Sequence, residues 1–158
     1  MMIKMIRKVQ KKDIDSILEL LHIVHDLHRD GRPDIFKEGT TKYNRSELLL
    51  MLKDSKKPIF VYEKDGKIVA YVFCVMKTIR DDHNFNNYDY LFIDDICVLD
   101  EYRRNNIGTK LYQYAKDFAK TQGMKSIRLN VWNFNEKAYN FYKKQGMKVL
   151  EYVMEETI

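Results

Sequence analysis

Cysteine and proline are scarce in this sequence, which has two of each among its 158 residues. Two cysteines cannot build a disulfide framework or a cysteine-rich zinc site, so neither device is expected to stabilise the fold. Cys74 and Cys97 both lie in apolar stretches typical of strands, which predicts buried, free thiols. Cys97 is disfavoured as a nucleophile because no partnered base is evident near it.

Long hydrophobic runs are also missing. No apolar stretch approaches the roughly 20 residues that a membrane-spanning helix needs, and Met1–Lys4 lacks the apolar stretch of a secretory signal. We therefore expect a soluble protein in the cytoplasm with no membrane partner. Hydrophobic residues make up 45% of the chain and charged residues 32%, which is typical of globular proteins. The length predicts one domain over residues 1–158, large enough to form a core without disulfides.

Charges of the two signs are nearly balanced, since 28 Lys and Arg residues oppose 23 Asp and Glu residues and leave a net charge of +5. This small excess favours an anionic partner. Nucleic acid is one candidate, but no run reaches the roughly five or six like charges typical of a basic tail. The interspersed pattern suits a phosphorylated small molecule better, and nucleic-acid binding stays an alternative.

The spacing of apolar residues predicts strands that alternate with helices. Strands are predicted over residues 2–9, 59–63, 68–76, 90–98, 126–132 and 148–154, and helices are predicted to begin near residues 13, 46, 107 and 135. Asp65 and Gly66 stand between two apolar runs and predict a hairpin. Asn133 or Asn135 is expected to cap the last helix. The strand, helix and strand of residues 90–132 predict a parallel crossover unit after an antiparallel meander.

The most informative segment runs from Asp94 to Leu111, where an apolar strand leads through a basic, amide-rich turn into a helix. Backbone N–H groups at a helix start point outward, with the positive end of the helix dipole behind them, and bind phosphate well. Asn106 and Gly108 tolerate the positive φ that such a turn can require. The residues predicted to form this phosphate site are Arg103, Arg104, Asn105, Asn106, Ile107, Gly108 and Thr109.

Two separate segments resemble the GNAT superfamily of acyl-CoA-dependent N-acetyltransferases. The family's phosphate-binding pattern is Arg or Gln, two residues, Gly, one residue, then Gly or Ala, and residues 103–108 match it except that Asn106 replaces the first glycine. Residues 135–147 resemble a later helix of the family, with its Asn, Ala and Tyr in register and Met147 where Phe is common. The resemblance implies a GNAT-like α/β fold: a mixed, mostly antiparallel central sheet with a parallel crossover unit and flanking helices.

The resemblance also implies a function, which is the transfer of an acetyl group from acetyl-CoA to a primary amine of a small molecule or a polypeptide. The pantetheine arm of acetyl-CoA would pair with the backbone of Ile96, Cys97 and Val98 as if it were another strand. The later helix would contribute Asn135 and the small Ala138 to the cofactor site. No metal is expected. A non-catalytic acyl-CoA sensor of the same fold stays an alternative, and a homodimer is left open.

Acetyl transfer needs a proton acceptor, because an alkylamine with a pKa of about 10.4 is protonated at neutral pH. Asp94 is the first choice for this acceptor, because it aligns with a strand position at which some relatives carry one, and Asp95 beside it is expected on the opposite face. Tyr142 matches the family's tyrosine acid, which donates a proton to the departing thiolate. Ordinary ion pairing of the two carboxylates and aromatic packing of Tyr142 are the alternative interpretations.

Three histidines, His22, His25 and His28, recur at every third position of the first predicted helix. This spacing drifts around a helix and brings no carboxylate-rich set of ligands, so a metal site is disfavoured. By analogy with the family, we expect these histidines to border the acceptor pocket together with residues 32–36.

Overall fold

Residues 5–158 are described by the computed structural model, so residues 2–4 of the first predicted strand lie outside the described part. The strands are β1 (Ile6–Lys8), β2 (Ile59–Lys64), β3 (Lys67–Ile79), β4 (Tyr88–Val98) and β5 (Ser126–Leu129). The helices are α1 (Ile14–Gly31), α2 (Arg45–Met51), α3 (Ile107–Thr121) and α4 (Glu136–Lys144). Over the described range, no helix has the length and apolar character needed to cross a membrane.

One five-stranded sheet in the order β1-β2-β3-β4-β5 organises these elements. The first four strands pair antiparallel in sequence order, and β4 pairs with β5 in parallel. Asp65 and Gly66 both adopt positive φ, at 50° and 76°, as a tight hairpin turn between β2 and β3 requires. The predicted hairpin, meander and crossover unit are confirmed, and with them the GNAT-like fold class.

Helices cover both faces of the sheet. On one face, α1 and α2 meet the strands in a cluster of buried side chains that includes Ile17, Leu21, Leu48, Tyr71 and Phe73. On the other face, α3 meets the strands in a second cluster that includes Leu91, Ile93, Ile107, Leu111 and Ala115. Apolar residues three or four positions apart on each helix produce this arrangement. The central strands are therefore held in place from both sides.

A β-bulge in β4 decides the direction of the two candidate carboxylates. Phe73 of β3 pairs with Asp95 of β4. The next residue of β3, Cys74, pairs with Ile93, so Asp94 is an extra residue in β4. The insertion breaks the alternation of side chains, since Ile93 faces α3 while both Asp94 and Asp95 contact side chains on the α1 and α2 side. The expectation that the two carboxylates point to opposite faces is wrong.

The same bulge marks the end of the ladder between β4 and β5. β5 pairs with residues 90–93 of β4 and ends at Leu129, three residues before the predicted end at Trp132. Residues 94–98 of β4 continue without a partner on that side within the described chain, because the extra residue bends the strand away. An open backbone edge therefore lies along the second half of β4.

The C-terminal residues 148–158, here called the tail, form no strand, so the prediction of a strand over residues 148–154 is wrong. Within the part of the chain that the structure describes, the tail makes no backbone hydrogen bond to another segment. Its Val, Leu and Tyr residues favour extended structure, but a strand becomes stable only beside another edge that takes up its N–H and C=O groups. The tail has no regular secondary structure and is exposed instead.

Candidate active site

The open edge of β4 is the first part of the candidate site. Residues 95–98 pair with β3 on one side, whereas the ladder with β5 on the other side stops at Ile93. Free N–H and C=O groups along such an edge can pair with an extended polar ligand as they would with a strand. Ile96, Cys97 and Val98, the residues predicted to bind the pantetheine arm, lie along this edge.

The start of α3 is the second part. Asn106 adopts a left-handed conformation with φ 56° and ψ 23°, as its residue type predicts. Lys110 donates to the Asn106 carbonyl oxygen at 3.0 Å, so the N–H groups of residues 107–109 have no acceptor within the helix. The preceding residues 103–106 are exposed. The helix start at which the phosphate site is predicted is therefore reachable from solvent.

Gly108 serves helix packing rather than a left-handed turn. Its φ is not positive, so the conformational freedom that the sequence suggested is not used there. A Cβ atom at Gly108 would lie 3.3 Å from the ring of Phe141, a contact tighter than side chains normally make. Gln145 also donates from Nε2 to the hydroxyl of Thr109 at 3.1 Å. These contacts hold α4 against the first turn of α3.

Asn135, and not Asn133, caps α4. Its side-chain oxygen accepts a hydrogen bond from the N–H of Ala138 at 3.2 Å. Both Asn135 and Ala138 are assigned to the cofactor site by the sequence. The structure gives Asn135 the task of starting the helix that carries Tyr142, and it leaves Ala138 partly exposed.

Tyr142 lies on α4 and is partly exposed, with its ring centroid 5.3 Å from that of Phe141. Burial of the phenol raises the pKa of Tyr142 well above its ordinary value, and the nearby charge of Asp95 raises this pKa further. The phenol is therefore protonated at neutral pH and available as a donor. The ring of its neighbour Phe141 contacts Gly108, which also lies close to Val98, so α4 stands beside the end of β4.

Asp95 is the more enclosed of the two carboxylates. The hydroxyl of Tyr71 donates to its Oδ2 at 2.7 Å. Burial raises the pKa of Asp95, and the charge of Asp94 acts in the same direction, while Tyr71 and Lys42 oppose the shift. A carboxylate whose pKa is raised is a stronger proton acceptor once it is ionised.

Asp94 is tied to the loop between α1 and α2. The hydroxyl of Tyr43 donates to Asp94 Oδ2, and Lys42 Nζ lies 3.1 Å from Oδ1. Lys42 also donates to the backbone carbonyl oxygen of Asp94 at 2.9 Å. The ring of Tyr43 stacks on that of Phe73 at 5.6 Å. Both oxygens of Asp94 are thus engaged in holding the loop, and its charge is countered by a lysine.

Three residues of this site carry no clear signal in the sequence: Lys42, Tyr43 and Tyr71. The loop that contains the first two shows no apolar periodicity, and Tyr71 resembles any other strand residue. Its approach to Asp95 depends on the register of β3 and β4, which the bulge sets. The one usable hint is the Asp94-Asp95 pair within an apolar stretch, since carboxylates in such a place need partners.

An aromatic cluster lies where the chain after β5 meets the end of α1. Its members are His25, His28, Phe36, Trp132 and Phe134. The ring centroid of Phe36 lies 5.2 Å from that of His28 and 5.3 Å from that of Trp132. Burial lowers the pKa of His28 and the charge of Lys42 lowers it further. Phe36 belongs to the loop between α1 and α2, so the cluster includes part of that loop. His22 is exposed outside the cluster.

Both thiols are buried and free, as predicted. Burial raises the pKa of Cys74 and that of Cys97 to about 12, which keeps both thiols protonated at neutral pH. The side chain of Cys97 points toward Leu20 of α1, with Sγ 3.9 Å from the carbonyl oxygen. Among residues 5–158, no group of three or more His, Cys, Asp and Glu side chains is arranged to hold a metal ion.

Comparison with curated proteins adds evidence from sequence. The model of the acetyltransferase (GNAT) family matches residues 21–147. An uncharacterized N-acetyltransferase of Methanocaldococcus jannaschii is 31% identical over 148 residues, which are 94% of this chain and 62% of that protein. The chain spans about three fifths or less of the length of the first curated relatives that it matches.

Solved structures share the fold over nearly the whole chain. The tetramutant of the BH1408 protein from Bacillus halodurans has a TM-score of 0.93 at 26% identity, covering 99% of this chain and 100% of that one. An aminoglycoside N-acetyltransferase in complex with CoA has a TM-score of 0.71 at 13% identity, covering 97% of this chain and 98% of that one. With the sheet, the bulged strand and a match over residues 21–147 in agreement, this chain belongs to the GNAT family of acetyltransferases.

Proposed function

We propose that this chain transfers an acetyl group from acetyl-CoA directly to a primary amine. The observation that carries the proposal is the open edge of β4, which leads from Asp95 toward the open start of α3, where Gly108 lies against Val98 and against α4, the helix of Tyr142. These neighbouring elements offer backbone groups for an extended arm, free amides for an anion, a proton acceptor and a proton donor. The family and the names of the relatives support the transfer of acetyl.

The open edge of β4 and the start of α3 fit acetyl-CoA, which supplies an activated thioester when it is bound. The backbone of residues 96–98 is free to pair with the amides of the pantetheine arm. The N–H groups of residues 104–109 would hold the pyrophosphate, and the exposed Arg103 and Arg104 would add positive charge. The aminoglycoside acetyltransferase of the same fold was solved with CoA, which supports a CoA thioester as the ligand.

Asp95 is the proton acceptor in our proposal, in preference to Asp94. The raised pKa of Asp95 makes it the stronger base, and the hydrogen bond from Tyr71 fixes the orientation of its carboxylate. The ionised Asp95 takes a proton from the ammonium group of the acceptor, directly or through a water molecule, and leaves a neutral amine. Asp94, paired with Lys42, holds the loop that covers this part of the sheet.

Tyr142 is the proton donor. Its raised pKa means that the phenol carries its proton at neutral pH and can donate it in a hydrogen bond to the sulfur as the thiolate departs. The contact of Phe141 with Gly108 fixes the position of α4 and hence of the phenol relative to the start of α3. The cofactor contacts predicted for Asn135 and Ala138 remain predictions.

The acceptor amine enters, in this proposal, from the side of the aromatic cluster. The cluster adjoins the loop that carries Lys42 and Tyr43, and this loop packs on Asp94. Ring faces and carboxylates both attract an ammonium group, the rings through their quadrupoles and the carboxylates through their charge. The acceptor can then be a small-molecule amine or an amine of a polypeptide.

Release of free thiol during incubation with acetyl-CoA and a panel of primary amines tests the proposal. The panel should contain diamines, aminoglycosides and peptides with a free N-terminus or a lysine. We expect release that depends on the amine and that Asp95→Asn strongly reduces. Saturable acetyl-CoA binding without transfer to any amine would instead favour a sensor, and failure to bind acetyl-CoA would contradict both interpretations.

A further inference from the structure

The first half of β4 carries three aromatic side chains that belong to neither buried cluster. Tyr88, Tyr90 and Phe92 alternate with Leu91 and Ile93, which face α3, so the three rings lie on the face of the sheet that α1 and α2 cover elsewhere. All three rings are partly exposed. Within the described chain, this end of the sheet is therefore not buried by a helix on that face.

Two cations from the neighbouring strands lie over these rings. Lys77 of β3 pairs with Tyr90, and its Nζ lies 5.8 Å from the centroid of the Phe92 ring. The guanidinium of Arg128 on β5 lies 4.4 Å from the ring centroid of Tyr90 and 4.9 Å from that of Tyr88. We call these five residues the platform. Cation–π contacts of this kind hold a charged group in place without neutralising its charge.

No carboxylate of the described chain pairs with the cations of the platform. None of the ion pairs formed within residues 5–158 includes Lys77 or Arg128. Asp89 accepts a hydrogen bond of 2.8 Å from Arg80, and the alternation of β4 directs it to the opposite face. Lys125 adds a further cation, with its Nζ 5.6 Å from the first tyrosine ring. Cations fixed in this way bind carboxylates, and a guanidinium binds one through two parallel hydrogen bonds.

The platform continues directly from the candidate active site. Phe92 precedes Asp95 by three residues and Tyr88 precedes it by seven, so the platform extends roughly 10–20 Å from the carboxylate along the strand. Arg128 is four residues from Trp132 of the aromatic cluster, so the platform also lies beside the side from which the acceptor enters. A small amine bound at Asp95 does not extend over this distance, whereas a polypeptide does.

We propose that the platform binds an acidic segment of the polypeptide whose amine is acetylated, with acidic residues about three to six positions from the acceptor amine. This inference rests on the proposed function for the amine, whereas the acidic partner follows from the platform itself. The surface has opposite charges at its two ends, with the carboxylates of Asp94 and Asp95 at one end and the cations of the platform at the other. A segment with an ammonium group and more distant carboxylates is complementary to both ends.

A single-stranded nucleic acid fits this surface less well than an acidic polypeptide does. Bases stack on open aromatic faces, but cations already lie over the rings of the platform. Phosphates bound there would also be repelled by the carboxylates of Asp94 and Asp95. An acidic polypeptide avoids this repulsion, because its own ammonium group meets those carboxylates.

Fluorescence anisotropy of labelled peptides with the full chain tests the platform without requiring transfer. The peptides contain one lysine and differ in carrying either glutamates or glutamines about three to six positions from it. In one pair these residues precede the lysine, and in a second pair they follow it. We expect a glutamate peptide to bind about tenfold or more tightly than its glutamine partner, with a difference that high salt removes. Equal binding within both pairs, or tighter binding of a single-stranded RNA, overturns the proposal.

Charge reversal on the platform provides the matched comparison. Arg128→Glu and Lys77→Glu should each weaken binding of the glutamate peptide about tenfold or more. Lys120→Glu is the control, because this exposed lysine lies on α3, on the other side of the sheet, and the change in net charge is the same. Circular dichroism verifies folding, and the exposed Lys77 keeps the test valid if Arg128→Glu does not fold. Equal weakening by Lys120→Glu would reveal a general effect of net charge and overturn the platform as the binding surface.

Acetylation of the same peptides separates this inference from the proposed function. We expect a higher kcat/KM for the glutamate peptide, an advantage that Lys77→Glu removes and Lys120→Glu keeps. Equal kcat/KM for glutamate and glutamine peptides would uphold the proposed function and overturn the selection of acidic acceptors. Absence of transfer to any amine would overturn the proposed function, while the binding measurements would still decide whether the platform binds acidic segments.

Discussion

β3 and the tail both have the apolar and aromatic residues typical of strands, yet they lie in opposite surroundings. β3 has a paired strand on each side and a layer of helix on each face, and its Phe73 is completely buried. The tail has no strand beside it in the described chain, and its Tyr152 is mostly exposed. The comparison teaches that apolar strand sequence contributes to stability only where the sheet supplies both edges and faces. Elsewhere, the same kind of sequence is available for binding.

Replacement of one aromatic residue in each segment is the strongest test of this comparison. Phe73→Ala should lower the free energy of unfolding by about 3–5 kcal/mol, because it leaves a cavity in a packed core. Tyr152→Ala should change it by less than about 0.5 kcal/mol, because the side chain of Tyr152 is mostly exposed. Urea unfolding measures both values. Equal losses would show that the tail is packed against the rest of the protein after all.

Tyr142→Phe tests the donor role on the open side of the sheet. Turnover should fall about 100-fold, because the phenol no longer protonates the leaving thiolate. The dissociation constant of acetyl-CoA should stay within about twofold, since the ring remains in place. Tyr139→Phe, on the more exposed side of the same helix, is the matched control and should keep full activity. Unchanged turnover for Tyr142→Phe would remove this residue from the mechanism.

Separate replacement of the two neighbouring carboxylates compares two positions within one strand. Asp95→Asn should lower kcat/KM about 100-fold through loss of the base, while Asp94→Asn should have a smaller effect through a looser loop. The raised pKa of Asp95 implies that activity falls on acidification at a higher pH than for an ordinary carboxylate. A pH profile of kcat/KM measures this limb. A larger loss in Asp94→Asn would reverse the assignment of the base.

Asp95 should also reduce stability at neutral pH. Its pKa is higher in the folded protein than in the unfolded chain, so the folded state binds the proton more tightly. The protonated carboxyl therefore favours folding below the unfolded pKa, and this contribution is lost as the pH rises through the folded pKa. We expect Asp95→Asn to raise the midpoint of thermal unfolding at neutral pH and to leave it nearly unchanged in acid. A lower midpoint at neutral pH would contradict the raised pKa.

The smallest effect is expected at the open start of α3. Asn106→Ala should lower the free energy of unfolding by about 1 kcal/mol, since alanine is less favourable than asparagine at a φ of 56°. Asn106→Gly should be nearly neutral, and Asn105→Ala in the same exposed turn is the control. Urea unfolding measures stability, and titration with acetyl-CoA shows whether the turn also affects binding. Equal stability of all three variants would show that this conformation carries no strain.

The sequence predicts best those features that depend on neighbouring residues. Asp65-Gly66 identifies the hairpin because both residues accept positive φ, and Asn106 identifies the turn before α3 for the same reason. The apolar spacing of α3 identifies its buried face without knowledge of the sheet. The phosphate site is predicted from a short strand, turn and helix start, and the tyrosine from the resemblance to a family whose signature segments are also short and local.

Features that depend on strand register could not be predicted. The extra residue at Asp94 becomes visible only when β3 and β4 are aligned, and it reverses the expected direction of Asp95. The partners of the two carboxylates follow from that alignment, so Tyr43 and Tyr71 were not anticipated. The tail has the residues of a strand, but local sequence contains no information on whether an edge lies next to it.

The extra residue at Asp94 links two properties of the site, which are the anchoring of the loop between α1 and α2 and the open edge of β4. Deleting it would restore regular alternation along β4 with Asp95 still on the side of α1 and α2, and would remove the carboxylate that Lys42 and Tyr43 hold. The same deletion would allow β4 and β5 to continue their pairing beyond Ile93, which would remove the open edge along which an extended ligand can bind. Substrate preference is therefore expected to evolve in the loop between α1 and α2 and in the aromatic cluster, while the extra residue in β4 is retained.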